Sequence, residues 1–240
     1  MAQKAALVTG ASSGIGLAIA RLLGSEGYSL TVAARRADKL EAAADGLRAE
    51  GFDVIHVAAD MQNEDDIKRV VEAHREKWGR MDVLINNAGV GFGSAVGEYS
   101  TKAIDMQTAV NFRAIVLFYR ESVGMLREAA AEHKSALVVN TSSISGKFGQ
   151  GWLSVYSATK HAVVGFTQAM HKELSGEGIK STALCPAFVD TPMTDFVKGQ
   201  VDASDMITPE DIAEGVRMLL HQSPACIVPE IIFQRPGEDL

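Results

Sequence analysis

Tyr156 and Lys160 stand four residues apart in the stretch VYSATKHAV. On a helix, positions i and i+4 share a face one turn apart, so the phenol and the ammonium meet. Such a meeting is either packing, a buried tyrosine beside a snorkelling lysine, or a pair able to exchange a proton. A second chemically suggestive stretch is TGASSGIG, where Gly10, Gly14 and Gly16 lie between a strand-like run and a helix-like one. Glycines there permit a tight turn and let the backbone approach a ligand. The free N–H groups and dipole of the following helix favour a pyrophosphate. The spacing G-x-x-x-G-x-G differs from the commoner dinucleotide fingerprint, and a glycine-rich turn with no ligand is the plain alternative.

Further on, in VAARRADKLE, Ala34 ends the second strand-like run and Arg35 and Arg36 follow. An acidic residue about 20 residues past the glycines suits the 2′-hydroxyl of NAD, whereas arginine suits the 2′-phosphate of NADP. Asp38 comes too late to be a good ribose ligand. The arginines therefore favour NADP(H), with NAD(H) possible, against the plainer view of a solvated basic helix start. The Ser13 hydroxyl can serve the same phosphate. Asp60, in AADM, ends the third strand, where a carboxylate can take the amino group of adenine.

These residues need elements to hold them. Short β-rich runs alternate with helical patterns along the chain. The strands read as KAALVTG, YSLTVAAR, FDVIHVAAD, MDVLINNAG, SALVVNTSS, IKSTALCP and CIVPEIIF. The helices read as Gly14 to Glu26, with Ile15, Ile19, Leu22 and Leu23 on one face, then Ala37 to Ala49, Glu64 to Trp78, about Thr101 to Ala130, Val155 to Leu174, and Pro209 to His221. Thr208 is the expected cap of the last, with Pro209 at its first position. The segment AAAEHK either extends the long fourth helix or forms a surface loop. Strict alternation with near-continuously apolar strands implies a Rossmann-type α/β fold, a doubly wound parallel β-sheet of about seven strands with helices on both faces. One domain over residues 1–240 is expected. In such sheets ligands sit outside the carboxyl ends of the strands, which singles out the polar residues of NNAG, NTSSISG and CPAFVDTPM. Asn111, within the long helix, needs hydrogen-bond partners if buried.

Composition narrows the classes of function. The 240 residues are 47% apolar with a net charge of −7 and a pI near 5.4. The acidic balance argues against nucleic acid, whose binders carry a basic patch or stripe. No apolar run approaches the ~18 residues of a membrane span. The start MAQKAALVTG enters a strand at once and leaves no room for a signal peptide, so a cytoplasmic location is expected. Cys185 and Cys226 lack metal-ligand spacing, and two buried free thiols, with no metal, are expected.

In order and spacing, TGASSGIG, NNAG, a serine thirteen residues before the tyrosine, and YSATK resemble the short-chain dehydrogenase/reductase family in its short, single-domain branch, over essentially the whole chain. The resemblance implies an oxidoreductase that interconverts a carbonyl and an alcohol by hydride transfer, NADP(H) preferred. It makes Tyr156 the general acid or base and Ser143 the hydroxyl that steadies the substrate oxygen, with Ser142 structural. Lys160 hydrogen-bonds the nicotinamide ribose, and Asn111 holds a water linking that lysine to bulk solvent. It extends the cofactor-binding set to Gly10, Ser12, Ser13, Gly14, Ile15, Gly16, Arg35, Arg36, Asp60, Met61, Asn87, Ala88, Gly89, Tyr156, Lys160, Pro186, Val189 and Thr191, the last for the nicotinamide carboxamide. A free phenol titrates near pH 10. A cation at about 4–5 Å, with effective dielectric near 20, favours the phenolate by roughly 3–4 kcal/mol, or about 2–3 pKa units, so Lys160 is expected to bring Tyr156 most of the way to neutrality.

Other expectations are less tied to motifs. The family usually has Pro-Gly at the end of the sixth strand, and here Ala187 follows Pro186. Alanine resists positive φ, so either the loop starts differently or the position does not need it. A substrate lid is expected at about residues 187–205. Phe92, Phe148, Trp152, Phe188, Met193 and Phe196 predict a largely apolar small-molecule carbonyl or alcohol, with Lys147 the one candidate carboxylate anchor. The resemblance implies a homodimer or homotetramer paired through the two long helices; Ile104, Val110, Ile115, Phe118, Val163, Phe166 and Met170 are compatible with that or with packing on the sheet alone. The competing views are an NAD(H)-dependent enzyme of the same family and a non-catalytic NADP(H)-binding redox sensor. A sensor needs the cofactor loop but no proton donor.

Overall fold

Apolar runs of four to eight residues become strands, and the amphipathic stretches between them become the helices that cover the sheet. The computed structural model describes residues 3–197 and 205–237, with the side chains of residues 196 and 197 excepted. Seven strands, β1 (Ala5–Thr9), β2 (Ser29–Ala34), β3 (Val54–Ala58), β4 (Val83–Asn86), β5 (Ala136–Thr141), β6 (Ile179–Pro186) and β7 (Glu230–Phe233), form one parallel sheet. Their order is β3-β2-β1-β4-β5-β6-β7. The connections are α1 (Gly14–Ser25), α2 (Ala37–Ala49), α3 (Glu64–Trp78), α4 (Thr101–Thr108), α5 (Ala114–His133), α6 (Ser154–Leu174) and α7 (Pro209–Leu220).

Side chains alternate across each strand, which splits the core in two. Ala6 and Val8 of β1 pack with α1, α2 and α7 on one face, through Ile19, Leu40 and Val216. Leu7 packs on the other, with Ile67 of α3, Phe118 of α5 and Val163 of α6. Both faces are covered, as a parallel sheet requires. The strand order reverses between β1 and β4, and a crevice opens at their carboxyl ends.

The structure differs from the sequence expectations in three places and takes one of the two alternatives left for AAAEHK. The helix expected over 101–130 is interrupted by a π-helical turn, Ala109–Arg113, in which Ala114 N–H reaches the Ala109 carbonyl. The extra residue rotates Asn111 to face the loop after β4. The segment AAAEHK extends the helix, which ends only at His133, capped by Lys134 with φ 59°. The strand expected over CIVPEIIF is shorter: Pro229 has no N–H to give the ladder, and pairing begins at Glu230. Cys185 is buried, but Cys226 is only half-buried, and both are free. The cap on α7 is as expected, a capping box in which Thr208 Oγ1 accepts from Asp211 N–H and Asp211 Oδ2 accepts from Thr208 N–H at 2.8 Å. No helix among the described residues is long and apolar enough to cross a membrane, and no metal-holding cluster occurs among them.

One buried polar group sets an acid limit. His74 of α3 is fully buried; its Nε2 lies 2.8 Å from the Arg80 carbonyl and its Nδ1 2.8 Å from the Thr31 hydroxyl. A carbonyl only accepts, so Nε2 carries the proton and the neutral ring accepts from Thr31. Burial pushes its pKa down to about 4. The unfolded chain, with histidine near 6.5, then binds more protons between about pH 6.5 and 4, so stability falls as pH falls through that window. The shift corresponds to roughly 3 kcal/mol. Urea unfolding of His74→Gln beside the parent should show that much less loss between pH 7 and 4; parallel curves would remove His74 as the cause.

Candidate active site

The loop after β1 uses its three glycines in two ways. Gly10 (φ 68°) and Gly14 (φ 54°) adopt left-handed conformations that side chains resist. Gly16 is needed for space, since a Cβ there would lie 2.4 Å from the Gly10 carbonyl oxygen and 2.5 Å from Asn87 Nδ2. The chain thus turns back on itself and delivers the start of α1 to the crevice. Ser13, the residue before α1, makes no side-chain cap, and the first turn has no acidic residue. Ser13 and the first residues of α1, Gly14 and Ile15, line the cavity. This loop fits a pyrophosphate on chain geometry alone.

NNAG is the clamp that holds the loop. Thr9 Oγ1 accepts from the N–H groups of Asn87 and Ala88, both at 3.0 Å. Asn87 Nδ2 donates to the carbonyls of Thr9 (3.3 Å) and Gly10 (3.4 Å), and its Oδ1 accepts from Thr141 at 3.2 Å. Thr9 and Thr141 escape the sequence analysis because a threonine in an apolar strand gives no signal until the strands are paired.

The cavity has a volume of about 850 Å³. Of the residues singled out from sequence, Gly10, Ser12, Ser13, Gly14, Ile15, Arg35, Arg36, Asp60, Met61, Asn87, Ala88, Gly89, Ser143, Tyr156, Lys160, Pro186, Val189 and Thr191 line it. Gly16 and Asn111 stand behind its wall. Arg35 and Arg36 are exposed on its rim, and among the described residues neither guanidinium has a hydrogen-bond or ion-pair partner. Asp60 lies two residues beyond the end of β3, and its carboxylate accepts from Gln62 N–H at 3.0 Å. The Thr191 side chain sits against Gly14, where a Cβ would come within 2.9 Å of Thr191 Cγ2. Thr194, also missed from sequence, closes that loop by donating to the Val189 carbonyl at 2.6 Å.

At the other end of the cavity, α6 brings Tyr156 and Lys160 onto one face, as the spacing predicts. Lys160 Nζ lies 5.6 Å from the centre of the Tyr156 ring and donates to the Thr141 carbonyl at 2.8 Å. Ser143, just past β5, places its hydroxyl beside the Tyr156 phenol, and its Oγ accepts from Ser145 N–H at 3.1 Å. Ser142 instead donates to the Lys160 carbonyl at 2.8 Å, tying β5 to α6. Gly146 makes that junction possible, since a Cβ there would lie 2.3 Å from Ser142 Oγ. Asn111 is a brace: its Oδ1 accepts from Val90 N–H (2.8 Å), and its Nδ2 donates to the Val90 carbonyl (2.9 Å) and Thr159 Oγ1 (3.1 Å). One turn earlier, Gln107 Oε1 accepts from Phe92 N–H at 3.1 Å. Two amides on one helix face thus hold residues 90–92 as a strand partner would. Gln107 was legible in principle as a second polar residue, at i−4, on a face otherwise turned to the core.

The electrostatics differ from the sequence expectation. Burial pushes the Tyr156 pKa up, and the neighbouring Ser143 hydroxyl opposes this only in part. Burial also pushes Lys160 down, to about 8. Desolvation outweighs the attraction of the Lys160 ammonium, which is itself desolvated and turned to the Thr141 carbonyl. The neutral phenol is the form that predominates.

Other expectations are also corrected. Ala187 is not in a positive-φ conformation; its N–H donates to the Phe233 carbonyl at 2.9 Å, so this loop does not need a glycine. Phe92, Trp152, Phe188 and Met193 line the cavity, but Phe148 does not, and the Phe196 side chain is outside the described residues. Lys147 is no anchor in the cavity: it pairs with Glu230 at 3.0 Å. Of the expected lid, residues 192–197 form a 3₁₀ segment, and residues 198–204 lie outside the described residues.

Comparison with known proteins agrees with this fold. The model of the family described as short chain dehydrogenase matches residues 4–201. A Streptomyces violaceoruber relative, provisionally named ketoacyl reductase 1 of the granaticin polyketide synthase, is 39% identical over 201 residues, 82% of this chain and 72% of its own. Among solved structures, a variant of actinorhodin polyketide ketoreductase with NADPH superposes with a TM-score of 0.88 at 32% identity, covering 97% of each chain. A 3-ketoacyl-(acyl-carrier-protein) reductase from Brucella melitensis, complexed with NADH, gives 0.87 at 28% identity, covering 96% of each.

Proposed function

Because the chain belongs to the short-chain dehydrogenase family and is an oxidoreductase of that family, we propose that it reduces the carbonyl of a largely apolar small molecule to an alcohol with NADP(H), Tyr156 supplying the proton. The carrying observation is that one cavity joins the glycine loop and the Arg35–Arg36 rim at one end to the Ser143–Tyr156–Lys160 cluster at the other. NADP(H), when bound, supplies hydride. The first turn of α1, with Ser12, Ser13 and Ile15, takes the pyrophosphate, and Arg35 and Arg36 take the 2′-phosphate. Met61, Asn87, Ala88 and Gly89, with Pro186, Val189 and Thr191 opposite, form the walls between the two ends.

At the reacting end, the substrate oxygen sits between the hydroxyls of Ser143 and Tyr156. The Tyr156 proton moves to that oxygen as negative charge builds on it, and Ser143 stabilises the same oxygen by a hydrogen bond. Lys160, fixed by the Thr141 carbonyl, is a nearby cation that stabilises the phenolate left behind. The Tyr156 phenol holds its proton at neutral pH, which is the form from which reduction starts. A redox sensor fits less well, because it gives Ser143 and Tyr156 no work. The family resemblance also carries assembly as a homodimer or homotetramer through α5 and α6.

Two measurements test this reading. The purified protein should oxidise NADPH in the presence of apolar ketones, with NADPH bound more tightly than NADH. Arg35→Asp should invert that cofactor preference by roughly tenfold or more through loss of a charge-assisted phosphate contact. An unchanged ratio of dissociation constants would take the 2′-phosphate away from Arg35.

A further inference from the structure

The substrate end of the cavity carries a feature that the proton chemistry does not require. Phe92, Trp152 and Met193 line it and stand 41%, 60% and 47% exposed, an apolar patch at the mouth. Trp152 is held there against its own preference, with φ 66°, a conformation that a bulky residue rarely adopts. Its carbonyl accepts from Ser94 N–H at 2.8 Å and from the Tyr99 hydroxyl at 3.2 Å. That hydroxyl is also 3.0 Å from the Phe92 carbonyl, so it ties the two segments together. The indole lies directly on the backbone of Gly93, where a Cβ would fall 2.2 Å from ring carbons Cε3 and Cζ3. Behind this segment, Gln107 and Asn111 fix Phe92 and Val90 from the helix. A strained residue that its surroundings hold from several sides points to function.

We infer that Trp152 is a specificity-determining residue, an aromatic ledge on which the flat ring of an aryl or fused-ring ketone stacks while its carbonyl reaches Tyr156 and Ser143. The inference deepens the reductase reading and rests on it. Gly93 supports one side of the indole, and the uncovered remainder borders the cavity that Tyr156 also lines. Aromatic rings gain from offset stacking beyond the area they bury, whereas a linear alkyl chain gains the area alone. Phe92 and Met193 complete an apolar rim without a charge. The ledge therefore selects by ring shape and not by an ionic group on the substrate.

The test compares 1-tetralone with 2-decanone, which have equal carbon number, in the parent, Trp152→Gly and Trp152→Phe. Glycine accepts the positive φ without strain and deletes the ring; phenylalanine keeps an aromatic ring at the same backbone. Trp152→Gly should lower kcat/KM for both ketones, mainly through KM, but for 1-tetralone by about three- to tenfold more than for 2-decanone, the surplus that stacking adds to buried area. Trp152→Phe should keep most of the preference. Equal losses on both ketones, or an unchanged ratio, overturn the ledge and leave Trp152 as a loop-shaping residue. A binding readout separates this from the reductase reading. In Trp78→Phe protein, Trp152 is the sole tryptophan of the chain, and 1-tetralone should quench its fluorescence saturably. Saturable quenching without turnover of any ketone would uphold the ledge and reject the reductase; absence of quenching would overturn the ledge.

Discussion

Tyr156→Phe should lower NADPH-dependent ketone reduction by roughly 10²–10⁴-fold, the usual worth of a positioned general acid, while NADPH binding changes little. Phenylalanine keeps the ring that Lys160 faces at 5.6 Å and that packs beside Gly91, so the substitution removes one hydroxyl and little else. Neighbouring groups are poor substitutes. Ser143 has an alcohol proton that is not acidic enough to transfer at neutral pH. Lys160 Nζ is turned to the Thr141 carbonyl at 2.8 Å. Burial holds the Tyr156 pKa above its ordinary value, so the proton lost in the variant is one the parent carries at neutral pH. The measurement is kcat/KM for a reduced ketone with a separate NADPH dissociation constant. Activity within tenfold of the parent, with folding intact, would mean that the proton comes from elsewhere.

Asn111→Leu should destabilise the fold by about 3 kcal/mol, which for a domain of this size is roughly 6–12 °C in Tm. The shape is nearly conserved, so the loss is polar. Asn111 is fully buried and serves both the N–H and the carbonyl of Val90. Leucine leaves those two part-buried backbone groups without their partner, each costing about 1–3 kcal/mol where water does not reach it. Thr159 is spared, because its hydroxyl still donates to the Tyr156 carbonyl at 2.8 Å. The π-helical turn that presents Asn111 would lose its purpose, and residues 90–92 would be held at Phe92, by Gln107 and the Tyr99 hydroxyl, and no longer at Val90. Thermal melting checks the first effect. A raised KM for ketone, with NADPH affinity retained, checks the second. A Tm shift under about 2 °C would mean that water replaces the amide at Val90.

Much of this was readable before any coordinates. Alternation of apolar runs with amphipathic stretches leaves few alternatives to a covered parallel sheet, and the helix boundaries at Ala37–Ala49 and Glu64–Trp78 are as expected. Period alone puts Tyr156 and Lys160 on one helix face. Gly10, Gly14 and Gly16 mark a turn that side chains would block, and Arg35 and Arg36 mark the end of β2. These inferences are local: each depends on residues close in the chain and on the backbone geometry they share.

The remainder depended on groups that meet only after folding. The Tyr156 and Lys160 pKa directions follow from burial beneath a cavity wall, which outweighs the attraction that their spacing suggests. The brace from Asn111 and Gln107 to residues 90–92 needs a π-helical turn, whose extra residue has no sequence period to announce it. Thr9 and Thr141 become a clamp only when β1, β4 and β5 lie side by side. Trp152 reads from sequence as one of several aromatics; its positive φ and its seat on Gly93, 59 residues earlier in the chain, exist only in the packed molecule. Sequence by itself determined which elements form and which chemical groups they carry to the strand ends. Tertiary structure decided what each group faces, and desolvation and hydrogen bonding depend on that.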